Sequence, residues 1–125
     1  RPGSASAGPG LNDAIDEYFA RAMASPAALI YEKRIEPKKK ELFSNLDKSC
    51  QSVLEIGIGT SPNLKFYPPF VTSLTGVDPN PYMISSLSGA EKQQRLLRTP
   101  SGVVPEFIKG EGESLPFPDA SFDAV

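Results

Sequence analysis

The stretch VLEIGIGTSPNLKFY, residues 53–67, combines a carboxylate with two glycines at the end of an apolar segment. Glu55 lies two residues before Gly57, and Gly59 follows two residues later. An apolar strand that ends in a glycine turn and continues into a helix brings backbone N–H groups close to a ligand at the helix N-terminus. The pattern therefore predicts a ligand-binding turn, and the neighbouring residues must indicate which ligand it holds.

A dinucleotide is one candidate, because dinucleotide-binding folds carry the fingerprint G-x-G-x-x-G. Gly57 and Gly59 fit its first two positions, but Pro62 stands where the third glycine packs helix against strand. Asp78, about 20 residues further on, suits a ribose diol in this ligand or in another nucleoside. Glu55 favours a cationic ligand over a phosphate, since a carboxylate in so apolar a strand is costly to bury without a partner.

The elements that position these residues alternate between strand and helix. The apolar segments SVLEIGI, VTSLTGVD, VVPEFIKG and FDAV are typical of strands. Ser61-Pro62 predicts the start of a short helix that ends at Pro68-Pro69, and PYMISSLSGAEKQQRLLR predicts a second helix. This order indicates an α/β fold with a Rossmann-like, doubly wound parallel sheet, of which the chain holds about three strands and the start of a fourth.

The region before the first strand predicts a helical cap over residues 11–49, after a Gly/Pro/Ser-rich flexible tail over residues 1–10. Three helices are expected in the cap: LNDAIDEYFARAMA with Asn12 as N-cap, SPAALIYEKRIE from Ser25-Pro26, and PKKKELFSNL from Pro37. Residues 50–125 then form a partial Rossmann-like domain.

Composition excludes several classes of function. The formal net charge is −2, which argues against nucleic acid as a partner, and no apolar run has the length of a membrane span. The chain has no histidine, so it offers no imidazole base and no histidine-based metal site. Its single cysteine, Cys50, indicates a reducing compartment and hence an intracellular location, cytoplasmic or organellar.

Three spaced motifs carry a resemblance to a known family: LEIGIGTSPNLKFY, GVDPNPYM and GEGESLPFPDASFDAV. In this order they resemble class I S-adenosylmethionine-dependent methyltransferases of type 11. KKKELFSNL, NLKFYPP and DPNP are similar to the methyltransferase-like seven group and its plant relatives, some of which methylate small alkyl thiols. The resemblance implies S-adenosylmethionine as cofactor, whose sulfonium and ammonium suit the carboxylate of Glu55.

By matching position, Glu55, Gly57 and Gly59 would form the turn around the methionine part of the cofactor. Families of this kind usually show G-x-G-T-G, and here Ser61 replaces the third glycine. Serine is small enough for the turn. If this position requires a positive φ, the side chain costs roughly 1 kcal/mol or more.

The resemblance also assigns the nucleoside side of the site. Asp78 would accept hydrogen bonds from both ribose hydroxyls, since a carboxylate offers two acceptor oxygens. Pro79 and Met83 would flank the adenine. Glu111 would accept from the adenine amino group, and the backbone at Gly112 would meet the ring nitrogens.

The expected function is transfer of a methyl group to a small molecule, with a thiol as one candidate acceptor. Catalytic residues are expected beyond residue 125, so the 125 residues alone are expected to be inactive. Two alternatives stay open: a catalytically inactive cofactor-binding or interaction module, and an NAD(P)-dependent oxidoreductase.

Overall fold

The computed structural model describes residues 10–85 and 97–125. The predicted tail, apart from Gly10, and the part of the second crossing helix that contains Leu87 and Ala90 lie outside these residues. The elements in chain order are α1 (Leu11–Met23), α2 (Pro26–Ser44), β1 (Ser52–Ile56), a 3₁₀ turn (Leu64–Phe66), β2 (Ser73–Asp78), α3 (Tyr82–Ser85) and β3 (Glu106–Lys109).

The three strands form one parallel sheet in the order β1-β2-β3, which confirms the predicted α/β class. Glu55 of β1 lies opposite Gly76 of β2, and Gly76 lies opposite Phe107 of β3. Because all strands run the same way, their carboxyl ends meet at one edge of the sheet. The glycine turn and Asp78 both lie at this edge, where ligands of doubly wound folds bind.

The segment FDAV lies beside β1, on the side away from β2, as predicted for the start of a fourth strand. Val53 and Ala124 form a parallel bridge, and Leu54 N donates to Ala124 O at 3.0 Å. The Asp123 carboxylate accepts from the backbone N–H groups of Gln51 (3.0 Å) and Ser52 (2.9 Å). One edge of β1 is therefore partly paired.

The core lies on the side of the sheet that carries the 3₁₀ turn. Its buried residues come from β1, from β2 and from the segment between these two strands: Val53, Leu64, Tyr67, Val71 and Leu74. Phe43 of α2 packs edge-on against Tyr67, with ring centroids 4.8 Å apart. This aromatic contact attaches α2 to the segment between β1 and β2, since large buried aromatic rings dominate the energetics of core packing.

The region predicted to form the cap contains two helices where three were predicted, because α2 continues through Pro37. A proline inside a helix removes one backbone hydrogen bond. Here ion pairs connect the turns on either side of it, Lys39 with Glu32 and Lys40 with Glu36 (3.0 Å). The prediction of a helix start at Pro37 was wrong, whereas Ser25-Pro26 does begin a helix.

The start of α1 also differs from the prediction. The N-cap is Gly10, and Asn12 lies inside the helix. The Asp13 carboxylate accepts from Gly10 N at 3.0 Å, which satisfies a backbone donor that a helix start leaves open. The capping hydrogen bond at the start of α1 therefore comes from the side chain of Asp13, whereas the sequence predicted one from Asn12.

The predicted helix after the glycine turn is reduced to the 3₁₀ turn Leu64–Phe66. Ser61 has φ of 63°, a left-handed conformation, whereas an N-cap residue adopts the extended region. Ser61 therefore does not cap a helix. In the described ranges, no helix is long and apolar enough to cross a membrane.

Candidate cofactor site at the ends of β1 and β2

The glycine turn folds back from β1 onto the end of β2. Gly57 and Gly59 have positive φ values of 72° and 53°, a region that glycine enters without steric cost. Gly57 N and Ile58 N both donate to Val77 O, at 2.7 and 3.2 Å. These two bonds hold the turn directly above the last residues of β2.

Gly76 makes room for the turn. Ile58 is almost fully buried, and its side chain lies over β2 at Gly76. A Cβ atom at position 76 would lie 2.3 Å from Ile58 Cδ1 and 2.8 Å from its Cγ2. The missing side chain of Gly76 therefore lets Ile58 fix the turn against the sheet.

Ser61 ends the turn in a strained and unusual environment. It is 3% exposed, its φ is 63°, and its Oγ has no hydrogen-bond partner within the described residues. Left-handed backbone costs an ordinary residue roughly 1–2 kcal/mol. The positive φ that would penalise a serine at this position is therefore present. Ser61 also lines a large open cavity of about 960 Å³ beside α2.

Asp78 connects the glycine turn to the segment after β2. Its Oδ2 accepts from Gly59 N at 2.9 Å, and its Oδ1 accepts from Asn80 N at 2.9 Å. A carboxylate has about four acceptor positions, so each oxygen keeps room for another hydrogen bond. Asp78 is thus held in place by the protein and can still receive two donors from a ligand.

A second cavity of about 260 Å³ adjoins Asp78. Its polar wall comes from the strand end and the turn, and its apolar wall from α3 and β3. The lining residues include Gly59, Asp78, Pro81, Met83, Ile84 and Phe107. An apolar wall beside a carboxylate suits a nucleoside, whose base is flat and whose sugar carries a diol.

The predicted adenine neighbours are only partly together. Met83 is buried and lines the cavity, whereas Pro79 is exposed, and Pro81 is the proline at the cavity wall. Gly110 N donates to Asp78 O at 3.2 Å, which brings the loop after β3 to the same edge. Glu111 follows directly and is exposed.

Gly112 lies against β1. A Cβ atom there would be 3.1 Å from Ile56 Cγ2, so the loop passes close to the end of the strand. The loop is also closed by a bond from Ser114 N to Glu111 O at 3.1 Å. Its backbone thus lies beside both strand ends.

Glu55 is turned away from this cavity, toward the 3₁₀ turn. Its Oε1 accepts from Asn63 Nδ2 at 2.6 Å, and its Oε2 accepts from the Tyr67 hydroxyl at 2.7 Å. Burial raises the pKa of the Glu55 carboxyl, while the Tyr67 and Asn63 hydrogen bonds and the Lys39 charge act in the opposite direction. Burial and the Glu55 charge raise the pKa of Tyr67. Glu55 therefore holds together the segment that follows the glycine turn.

Sequence reasoning missed three residues of this arrangement: Asn63, Tyr67 and Asn80. The motif DPNP offered a signal for Asn80, since asparagine often hydrogen-bonds nearby backbone in turns. The Asn80 Oδ1 atom accepts a local hydrogen bond of this kind from Tyr82 N at 2.9 Å. No comparable signal marks Tyr67 as a partner of Glu55. The described residues contain no group of three or more acidic, cysteine or histidine side chains that could hold a metal ion.

The parallel sheet, the glycine turn and the carboxylate at the end of β2 define an α/β protein with a partial Rossmann-like fold. A family model described as a methyltransferase domain matches residues 54–125, more than half of the chain. The chain therefore belongs to this family of class I methyltransferases. The family in general uses S-adenosylmethionine.

Relatives that are named as methyltransferases agree with the family assignment. The chain is 36% identical over 114 residues to rat (Rattus norvegicus) thiol S-methyltransferase TMT1B, covering 86% of the chain and 44% of the relative. It is 36% identical over 103 residues to human thiol S-methyltransferase TMT1A, covering 78% of the chain and 40% of the relative. Human thiol S-methyltransferase TMT1B is 32% identical over 116 residues. The chain spans less than half the length of these relatives.

Proposed function

We propose that this chain forms the cofactor-binding part of an S-adenosylmethionine-dependent methyltransferase that acts on a small molecule, with a thiol as the acceptor. The observation that carries this proposal is the geometry of Asp78. Its carboxylate is fixed by two backbone N–H groups at the wall of a nucleoside-sized cavity, and it keeps acceptor positions open. Family membership supports the same cofactor class.

The residues present fit this cofactor. Asp78 would accept from the ribose hydroxyls, and Met83 and Ile84 would contact the adenine. The backbone of Gly57 and Gly59 would border the methionine part, and the loop at Glu111 and Gly112 would close the site from the β3 side. Glu55 and Ser61 would contribute through the shape of the turn.

The glycine turn favours this cofactor over a dinucleotide, whereas Asp78 suits the ribose diol of either ligand. Pro62 replaces the glycine that packs helix against strand in dinucleotide folds. The turn also leads into the short 3₁₀ turn Leu64–Phe66, where a dinucleotide fold has a helix whose N-terminus holds the pyrophosphate. S-adenosylmethionine has no phosphate and does not need such a helix N-terminus.

A thiol acceptor is supported by the names of the relatives, which are thiol S-methyltransferases. S-adenosylmethionine supplies an electrophilic methyl group on a good leaving group. A thiol ionises in part near neutral pH and therefore needs little help from a protein base. The protein's contribution is then mainly to hold and align the reactants.

Calorimetric titration with S-adenosylhomocysteine tests the proposal. We expect saturable binding to the wild type, no binding of NADH, and at least a tenfold loss of affinity in Asp78→Ala. Asp119→Ala is the matched control, because Asp119 is an exposed loop carboxylate. Equal affinity in both variants, or binding of NADH alone, would contradict the proposal.

Ser61 favours one alternative, a module that binds the cofactor without catalysis. It holds a positive φ at a position that is glycine in related motifs, and its buried hydroxyl has no hydrogen-bond partner among the described residues. An assay with methyl-labelled S-adenosylmethionine and small alkyl thiols tests this alternative. Labelled thioether would contradict the module and support the enzyme, whereas binding without product agrees with both, because the proposal assigns this chain only the cofactor-binding part.

A further inference from the structure

Asn80 connects three parts of the molecule through one buried side chain and its backbone. It is 9% exposed, and its backbone N donates to Asp78 Oδ1 at 2.9 Å. Its Oδ1 accepts from Tyr82 N at 2.9 Å, at the start of α3. Its Nδ2 donates to Asp16 O at 2.8 Å, in the middle of α1. Asn80 thus lies between the carboxylate proposed to hold the ribose and the first helix of the cap.

Within the described residues, α1 contacts α3 but buries little apolar surface of its own. Its large apolar side chains point to solvent: Ile15, Tyr18 and Phe19 are 55%, 76% and 53% exposed. Only Ala20 is buried within the helix, and a methyl group buries little apolar area. A helix with so little buried surface is expected to dock reversibly, because local stability follows buried contacts.

In the part of the chain that the structure describes, the polar contacts of α1 with other elements lie on the same segment after β2. Besides the bond to Asn80, the Tyr82 side chain lies against the acidic side of the helix. Burial and the charges of Asp13, Glu17 and Asp16 raise the pKa of the Tyr82 hydroxyl. The position of α1 therefore depends on how the segment Asn80–Tyr82 is arranged, and that arrangement begins at Asp78.

We propose that Asn80 is a positioning residue that couples cofactor binding at Asp78 to docking of α1 at the edge of the sheet. This inference rests on the proposed function, since it takes the nucleoside of the cofactor as the ligand of Asp78. A ligand that binds Asp78 adds to the two backbone bonds that already hold the carboxylate. It thereby stabilises the bond from Asn80 N and the arrangement that directs the side-chain amide to Asp16 O. Coupling between two sites is reciprocal, so docked α1 also strengthens ligand binding.

Hydrogen–deuterium exchange with and without saturating S-adenosylhomocysteine tests the coupling. In the wild type, we expect the ligand to slow exchange in the amides of residues 11–23 as well as around β1 and β2. In Asn80→Asp, which still accepts from Tyr82 N but cannot donate to Asp16 O, exchange in residues 11–23 should no longer respond. Exchange around β1 and β2 should still respond, and affinity should fall about fivefold to tenfold.

Asn80→Ala provides a second variant without an added charge, and Asn45→Asp is the control, because Asn45 is an exposed residue at the end of α2. The control should behave as the wild type. A wild-type response confined to β1 and β2, or an unchanged α1 response in both Asn80 variants, would overturn the coupling alone. No response anywhere in the wild type would overturn the proposed function and the coupling with it.

Discussion

Two carboxylates at the ends of neighbouring strands differ sharply in what surrounds them. Asp78 accepts from two backbone N–H groups, lies at the wall of a cavity and keeps acceptor positions for a ligand. Glu55 accepts from the side chains of Asn63 and Tyr67 and has a raised pKa because it is buried. The same chemical group thus serves as a binding group on one strand and as a structural support on the other.

The difference follows from position along the strand. Glu55 lies within β1, opposite Gly76, so the alternation of a strand directs its side chain to the face that the 3₁₀ turn covers. Asp78 is the last residue of β2, at the edge where parallel strands end. The Glu55 carboxylate, one residue inside its strand, is therefore directed onto one face of the sheet. The Asp78 carboxylate, at the end of its strand, lies where a ligand can reach it.

Gly76→Ala should have the largest effect, because Gly76 lies opposite Glu55 in the sheet and also contacts Ile58 of the glycine turn. The new methyl group would overlap Ile58, so we expect a loss of about 3 kcal/mol in the free energy of unfolding and weaker cofactor binding. Urea denaturation measures the loss. Combined with Ile58→Ala, the total cost should be clearly less than the sum of the two single variants, and additive costs would contradict the contact.

Tyr67→Phe should lower the stability of the chain through Glu55 and leave cofactor binding at Asp78 nearly unchanged. It leaves one buried carboxylate oxygen without its donor, which should cost about 2 kcal/mol of stability. Affinity for S-adenosylhomocysteine should stay within about threefold of the wild type. Tyr18→Phe is the control, since Tyr18 is 76% exposed, and its stability should change by less than about 0.5 kcal/mol. A large loss of affinity in Tyr67→Phe would remove the distinction between the two carboxylates.

Ser61→Gly should stabilise the chain by about 1 kcal/mol, because glycine tolerates the positive φ and removes a buried hydroxyl without a described partner. Ser61→Ala separates the two causes, since it keeps the strained Cβ and removes only the hydroxyl. Chemical denaturation should rank the glycine variant above the alanine variant. The reverse order would mean that backbone strain at Ser61 is small.

The pH dependence gives the smallest and most specific effect. The pKa of Glu55 is raised above its usual value of 4.5 in the folded chain, so folding disfavours its charged form. The resulting penalty is absent below pH 4.5 and grows as pH rises through the folded pKa. The melting temperature of Glu55→Gln minus that of the wild type should therefore increase with pH above 4.5 and then level off. A difference that is constant or falls would contradict burial of Glu55.

The strand pattern of the sheet could be predicted from the sequence because its signals are local. An apolar run ending in Asp78 predicts a carboxylate at the sheet edge, and Gly57 and Gly59 predict the turn. The helix boundaries depended on less specific signals. Pro37 is compatible with a helix start and with a tolerated helix interior. The contacts that hold α2 against the rest of the chain on both sides of Pro37 are tertiary, Lys65 with Glu36 and Phe43 with Tyr67.

The partners of Glu55 could not be predicted for a related reason. Asn63 and Tyr67 lie 8 and 12 residues further along the chain, and their position depends on a 3₁₀ turn where an α-helix was expected. Ser61, in its left-handed conformation, lies just before that 3₁₀ turn. Serine rarely adopts this conformation, so the sequence around Ser61 does not predict it. The contact between Ile58 and Gly76, which holds the turn against β2, is a tertiary contact.

Calorimetric titration of S-adenosylhomocysteine into Asp78→Asn and Glu55→Gln, side by side with the wild type, tests the central claim most directly. Both substitutions remove one charge and conserve the size of the side chain. We expect Asp78→Asn to lose roughly 30-fold in affinity, as charged hydrogen bonds to a ligand diol require, and Glu55→Gln to stay within about threefold. Equal losses, or a larger loss in Glu55→Gln, would contradict the assignment of the ligand to Asp78 and of structural support to Glu55.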